Sequence, residues 1–211
     1  MVLAIDTATD AAAVALAVGG ETRVRRLGWR ASFTETAPAI EALLAEAGTG
    51  WGSLEAVGVP AGPGSFTGLR VGAAMALAVA EARGAALHAV PTLEAVAEAF
   101  AGPGDLAVCA SLDARRGRRY AAKYERTEGG WRLVEGPVDV PPEAVEAMAG
   151  AWPVVGADRP PRSGEEAASV AEAVARLIRA DPRRHRLESP ERLRLVYARP
   201  GVDPPGGGRP R

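Results

Sequence analysis

The chain has 211 residues, enough for one large domain or two small ones, and its charge is nearly balanced, with 25 Lys and Arg against 26 Asp and Glu. That balance excludes a global field drawing the chain to nucleic acid or an anionic membrane. Hydrophobic residues make up 47% and aromatics only 5%, which points to close packing of small side chains. The single cysteine, Cys109, excludes an intrachain disulfide and suits a reducing compartment; in its apolar run it reads as a small buried hydrophobe.

The opening "MVLAIDTATDAAAVALAVGG" lacks the basic start of a signal peptide, and Asp6, Thr7, Thr9 and Asp10 interrupt its apolar run. Neither a leader nor a membrane span is expected, and the cytoplasm is the expected location. Residues 2–5 read as a central strand closed by Asp6. Residues 11–18 and 21–27, joined by Gly19-Gly20, read as a hairpin, so the chain opens with a three-strand meander. Residues 37–47 place Ile40, Leu43 and Leu44 on one face of a helix that Gly48 stops. A strand over 54–60 leads into "AGPGSFTGLRVG" and a helix over 68–83 that is apolar almost all round. A strand over 86–90 and a helix over 91–100, capped by Thr92, complete a first unit.

The "GPG" at residues 102–104 reads as the break between lobes. After it come strands over 105–112, 119–125 and 131–134, a helix over 142–149, a strand over 152–155 and a helix over about 164–180. Ser163 and Glu166 have the spacing of a capping box for that last helix. "LRLVYARP" could add a strand, and residues 199–211 have the composition of a disordered tail. A meander followed by alternating helices and strands thus occurs twice. This duplicated β-β-β-α-β-α plan is the layout of the α/β, actin-like (ASKHA), sugar-kinase-like two-lobe fold, with a degenerate second lobe. The expected lobes are residues 1–103 and 104–198.

Only His88 and His185 are present, and no His-x-x-x-His or Cys-x-x-Cys spacing exists, so no metal site is expected. No G-x-S-x-G elbow is present, which disfavours a serine hydrolase. Asp6 and Thr7, at the end of the first strand, stand where phosphates approach in this fold class, but Ala8 occupies a position where close backbone approach favours glycine. The "GPGSFTG" stretch is not a Walker A loop, having no Gly-Lys-Ser/Thr. Gly64, Ser65 and Thr67 fit either a sharp strand-to-helix turn or a ligand contact. Arg70, a cation in the first turn of the following helix, opposes the helix dipole unless an anion lies near, whether Asp6, another carboxylate or a ligand phosphate. The arginines at 115, 116, 118 and 119, and again at 183, 184 and 186, have no interleaved aromatics. They read as a solvated hairpin and tail, with RNA phosphates as the alternative.

"GPGSFTGLRVG" after "VGVPA", "VLAIDTAT" at the start, "VPTLEAVA" and "SLDARRGRRYAAKYE" together resemble the TsaB family, formerly YeaZ, over nearly the whole chain, through "VYARP". The resemblance implies a degenerate relative of the catalytic TsaD subunit, whose metal-binding histidines would fall at Thr92 and Val96. It implies a non-catalytic subunit that pairs with a TsaD homologue and, with the TsaE ATPase, serves threonylcarbamoyl transfer to N6 of an adenosine beside the tRNA anticodon. No cofactor is expected in this chain alone, ATP or ADP being a candidate in the complex; tRNA is reached through the complex, and a homodimer is expected when the chain is alone. Two departures from the family pattern are Ser32-Phe33, where a histidine is common, and Arg118, where a glutamate is. The small residues Gly72, Ala73, Ala76 and Ala80, beside Leu69 and Leu77, together with Ile40, Leu43 and Leu44, are the expected helix–helix interface. The alternative reading of the whole chain is a stand-alone actin-like ATPase or small-molecule kinase.

Overall fold

The first strand, β1 (Val2–Asp6), is buried at every position, as its uninterrupted apolar run requires, and it occupies the centre of a five-stranded sheet. A computed structural model describes residues 1–28, 32–159 and 169–197 of the chain. β2 (Ala13–Val18) and β3 (Glu21–Arg26) extend the sheet antiparallel on one side of β1. Gly19 and Gly20 both take positive φ, 58° and 98°, as a two-residue turn matched to strand twist demands. β4 (Ala56–Pro60) and β5 (Ala86–Val90) add in parallel on the other side, giving the order β3-β2-β1-β4-β5.

The two faces of this sheet carry side chains of different size. Leu3, Ile5, Val14, Leu16, Val57 and Leu87 line one face with residues of α1 (Ser32–Glu46) and α2 (Phe66–Arg83). Ala4, Ala13, Ala15, Ala17 and Ala56 line the other, with Gly58 in the same alternation. Small residues let a helix approach closely, and α5 (Val170–Ala180) lies there. A Cβ on Gly58 would fall 2.3 Å from Ile178 Cδ1 and 2.8 Å from Val174 Cγ1.

The second sheet repeats the first without its last strand. β6 (Ala107–Arg115), β7 (Arg118–Thr127) and β8 (Gly130–Val140) form the meander, and β9 (Val154–Val155) pairs parallel with β6, in the order β8-β7-β6-β9. α4 (Pro142–Ala149) covers its outer face through a small cluster that includes Cys109, Ala121, Val145 and Ala149. α3 (Thr92–Phe100) packs on β6, β7 and β8 and against α5, so α3 and α5 share one core with both sheets.

The chain after Ser169, expected in the second lobe, therefore lies on the first sheet. Its amphipathic pattern explains this: Val170, Val174, Leu177 and Ile178 are buried, each stabilising by about 1.5–3 kcal/mol, and the alanine-lined face offers the room. Beyond α5 the chain runs beside β5, where Leu187 N donates to Leu87 O at 2.8 Å and Ala89 N to His185 O at 3.0 Å. The buried carboxylate of Glu94 on α3 anchors this return. Arg184 Nη2 lies 2.8 Å from its Oε1, an ion-pair distance outside hydrogen-bonding angles, and His185 Nε2 lies 3.1 Å from its Oε2.

Several boundaries differ from expectation. α1 begins at Ser32, five residues early, with Pro38 inside it; Glu35 secures its first turn by accepting from Gly28 N at 2.7 Å. α2 begins at Phe66 because Ser65 caps it, accepting from Gly68 N at 3.3 Å. Pro91, not Thr92, is the N-cap residue of α3, because the Thr92 hydroxyl is engaged elsewhere. The third strand of the second meander runs on to Val140 through two irregularities in its pairing with β7. The expected Ser163–Glu166 box lies outside the described residues, and the same motif recurs at Ser169 and Glu172, where Ser169 Oγ accepts from Glu172 N at 3.0 Å. Residues 193–197 form no strand. The expected tail at 199–211 lies outside the described residues.

Replacing Gly58 by Val forces a branched side chain into the α5 contact. The expected outcome is a loss of about 1–3 kcal/mol or more, read as a lower urea midpoint with an unchanged m-value.

Candidate functional site

β1 ends at Asp6, whose carboxylate is fully buried. Its Oδ1 accepts from Ala8 N at 2.8 Å and Thr9 N at 3.1 Å, and its Oδ2 accepts from the Thr9 hydroxyl. Asp6 thus folds the loop between β1 and β2 back on itself, a local Asx turn. Burial pushes its carboxyl up to about 6, against the opposing pull of those three hydrogen bonds.

The loop is then pressed onto the start of α2. Ser65 N donates to Ala8 O at 2.9 Å, and Thr7 Oγ1 donates to Gly68 O at 2.6 Å. A Cβ on Gly68 would sit 1.8 Å from Thr7 O, one on Gly64 2.9 Å from Ala8 O, and one on Gly72 2.7 Å from Thr7 Oγ1. Gly64 and Gly68 are therefore needed for backbone contact within the chain, and Gly72 for room beside the Thr7 hydroxyl. Thr67, in the first turn of α2, is exposed. Gly62, at φ 112°, is held by Thr92: Gly62 N donates to Thr92 Oγ1 and Thr92 N to Gly62 O, both at 2.9 Å.

Arg70 has found aromatic company. Its guanidinium stands 3.8 Å from the centroid of the Phe66 ring, and its Nε donates to the Tyr197 hydroxyl at 3.4 Å. Phe66 and Tyr197 pack at 5.3 Å between centroids. Asp6 is taken up entirely by Ala8 and Thr9, so it is not the anion that the charge of Arg70 called for. Tyr197 arrives because Val196 N donates to Ala61 O at 2.8 Å, strapping residues 193–197 across the glycine turn. Sequence offers no sign of this contact, since Arg70 and Tyr197 are 127 positions apart. The Asp6-x-x-Thr9 spacing was the one local signal for the turn.

Facing this wall is the β6–β7 hairpin, with Arg115, Arg116 and Gly117 all at positive φ. Arg115 pairs with Asp10 across the gap and lies 3.6 Å from Asp113. Between the two hairpins lies a cleft of about 490 Å³, lined by Thr9, Asp10, Phe66, Leu112, Arg115 and Tyr197 among others. The cation cluster at this hairpin is largely spent inside the chain. Arg118 pairs with Asp139, and Arg119 grips Asp158 with both terminal nitrogens while Nε donates to Ser111 Oγ at 2.9 Å. Arg119 in turn holds the Asp158 carboxyl below its ordinary value. In the later cluster Arg184 is committed to Glu94.

The residues expected at a helix–helix interface are nearly all internal. Ile40, Leu43, Leu44, Leu69, Gly72, Ala73, Ala76 and Ala80 are buried within this chain, and only Leu77 is partly exposed. What α2 turns outward is a different row: Arg70, Val71, Ala74, Leu77, Ala78 and Glu81. The small residues Gly68, Gly72, Ala73, Ala76 and Ala80, with Leu69 and Val79, are the face that α2 buries within the chain. Thr92 and Val96 are both buried in the core, with the Thr92 hydroxyl on Gly62. Cys109 is buried beneath α4, and burial pushes its thiol up to about 11. No group of three or more His, Cys, Asp or Glu among the described residues is placed to share a metal ion.

Two sheets of like topology, each led by a meander and parted by a cleft between hairpin tips, define an actin-like α/β protein. A family model described as "TsaD: tRNA N6-adenosine threonylcarbamoyltransferase" matches residues 29–152. The Escherichia coli protein named tRNA threonylcarbamoyladenosine biosynthesis protein TsaB is 35% identical over 162 residues, covering 74% of this chain and 70% of that one. The Haemophilus influenzae protein of the same name is 39% identical over 128 residues, covering 59% of this chain and 53% of that one. A solved structure of YeaZ from Pseudomonas aeruginosa superposes with a TM-score of 0.76 at 26% identity, over 93% of this chain and 98% of that one. The chain belongs to the TsaB, or YeaZ, family.

The Asp6 carboxyl sets a pH dependence. Its value is 3.8 when unperturbed and about 6 when folded, so between these the folded state binds more proton. Its contribution to stability is full below about pH 4 and falls as pH rises through 6, by about 3 kcal/mol. Asp6→Asn keeps an acceptor for Ala8 and Thr9 and removes the charge. The expected result is a flatter stability profile between pH 4 and 6.5, read by urea unfolding across that range.

Proposed function

We propose that this chain is a non-catalytic subunit of a tRNA threonylcarbamoyladenosine-forming machinery, pairing with a TsaD homologue that carries the transfer to N6 of the adenosine beside the anticodon. The role in this biosynthesis rests on the TsaB relatives. The non-catalytic reading rests on one observation: the groups that would cradle a phosphate are already used inside the chain. The amides of Ala8 and Thr9 point at Asp6, the amide of Ser65 is bonded to Ala8 O, and the amide of Gly68 is bonded to Ser65 Oγ. Thr92 and Val96, where the TsaD family would place metal ligands, serve the core instead.

Pairing uses the outer row of α2, where Ala74 and Ala78 permit close approach of a second helix, and buries about 1,200–2,000 Å² in total. The same row joins two copies of this chain when the partner is missing. TsaE joins the assembled complex, ATP or ADP binds there rather than to this chain alone, and tRNA is met through the partner. The setting is the cytoplasm; no helix among the described residues is long and apolar enough to cross a membrane.

Ala78→Arg tests the docking row. The residue is exposed, so thermal stability is expected within about 0.5 kcal/mol of the parent. Co-purification with the TsaD homologue, and the modification reconstituted from purified components, are expected to be lost. Micromolar binding and turnover of ATP by the isolated chain, measured by calorimetry and phosphate release, would instead favour the stand-alone ATPase.

A further inference from the structure

A second cleft, of about 440 Å³, lies at the opposite end of the first sheet, beneath the last turn of α5 and beside the starts of β1, β4 and β5. Its floor is apolar, made by Val2, Ala17, Val18, Ala56 and Ile178. Its rim carries two guanidiniums, Arg179 from α5 and Arg186 from the returning chain, both exposed. Neither has a hydrogen bond or a carboxylate partner among the described residues. Most other arginines here are satisfied, Arg25 by Glu46, Arg119 by Asp158 and Arg184 by Glu94 among them. The one carboxylate lining the cleft, Glu55, is paired with the Met1 ammonium.

His88 adds a third polar group. It forms a bridge with Arg186 in which the flanking residues carry the backbone bonds, Ala89 N to His185 O and Leu187 N to Leu87 O. In such a pair the two side chains stand on one face at closest approach. His88 is buried, and burial, with Arg186 beside it, holds its imidazole below the ordinary range, so the ring is neutral at pH 7. Its Nδ1 lies 3.2 Å from Arg184 O and donates there, which makes Nε2 the acceptor left for a ligand.

The geometry points to a binding site for a small phosphate monoester with a short aliphatic body. The phosphoryl oxygens are held by Arg179 and Arg186, a phosphate or ligand hydroxyl donates to His88 Nε2, and the aliphatic body lies on the apolar floor. Guanidiniums suit a phosphoryl group because their planar donors match its oxygens in pairs. Among the described residues no Phe, Tyr or Trp lines the cleft and the His88 ring is buried, so a nucleobase finds no exposed ring to stack on.

Calorimetry on the full chain with n-butyl phosphate tests this, with inorganic phosphate and n-butanol separating head from body. Butyl phosphate is expected to bind saturably and more tightly than either. An R179A/R186A double variant is expected to weaken it about tenfold or more at unchanged thermal midpoint, while R116A, at an exposed arginine of the β6–β7 hairpin beside the other cleft, leaves it unchanged. Absence of saturable heat, or heat that survives the double variant, overturns the site. So does a tRNA transcript that binds through the same two arginines when butyl phosphate does not, which would assign them to a polyanion surface.

Discussion

The carbonyl of Thr7 occupies the space where a side chain on residue 68 would begin, and much of the first lobe follows from that contact. With Gly68 in place, the loop after β1 can lie directly on the first turn of α2, and Thr7, Ala8 and Ser65 exchange hydrogen bonds there. That fixes the entry angle of α2, and hence which of its faces meets the sheet. It also commits the Ser65 amide to Ala8 O within the chain.

The second organising feature is the crossing of helices between sheets. α3 comes from the end of the first unit yet packs on the second sheet, and α5 follows the second unit yet packs on the first. Their mutual contact makes the two sheets share one core. The buried Glu94, matched by Arg184 and His185, ties the chain beyond α5 to α3. Losing Arg184 would leave a buried carboxylate short of its cation, at a cost of a few kcal/mol. The same return sets Arg186 beside His88 and brings Tyr197 over Phe66 and Arg70. Both clefts thus take part of their lining from a segment distant in sequence from the sheet it meets.

Charge is distributed with similar economy. The balanced composition hides that, among the described residues, most arginines are bonded to a nearby carboxylate or carbonyl. Of the hairpin cluster read as solvated, with RNA phosphates as the alternative, Arg115, Arg118 and Arg119 are tied to Asp10, Asp139 and Asp158. Exposed pairs of this kind add little stability, about 0–1 kcal/mol each, but they lower the local positive field. The contrast gives the cations at Arg179 and Arg186 their significance.

The amino-acid sequence alone determined the order of the elements, the duplicated plan and the glycine-jointed turn, because hydrophobic period, turn residues and helix formers act over a few residues. It showed α5 as amphipathic but not the sheet it covers, and it showed Arg70 as a cation lacking a partner but not the Phe66–Tyr197 pair that meets it. It marked Ile40, Leu43, Leu44 and the small residues of α2 as a helix–helix interface with a partner, whereas they are buried within this chain. Those choices depend on contacts between residues tens to more than a hundred positions apart, and only the folded chain, by deciding which face of each helix the sheet buries, settled them.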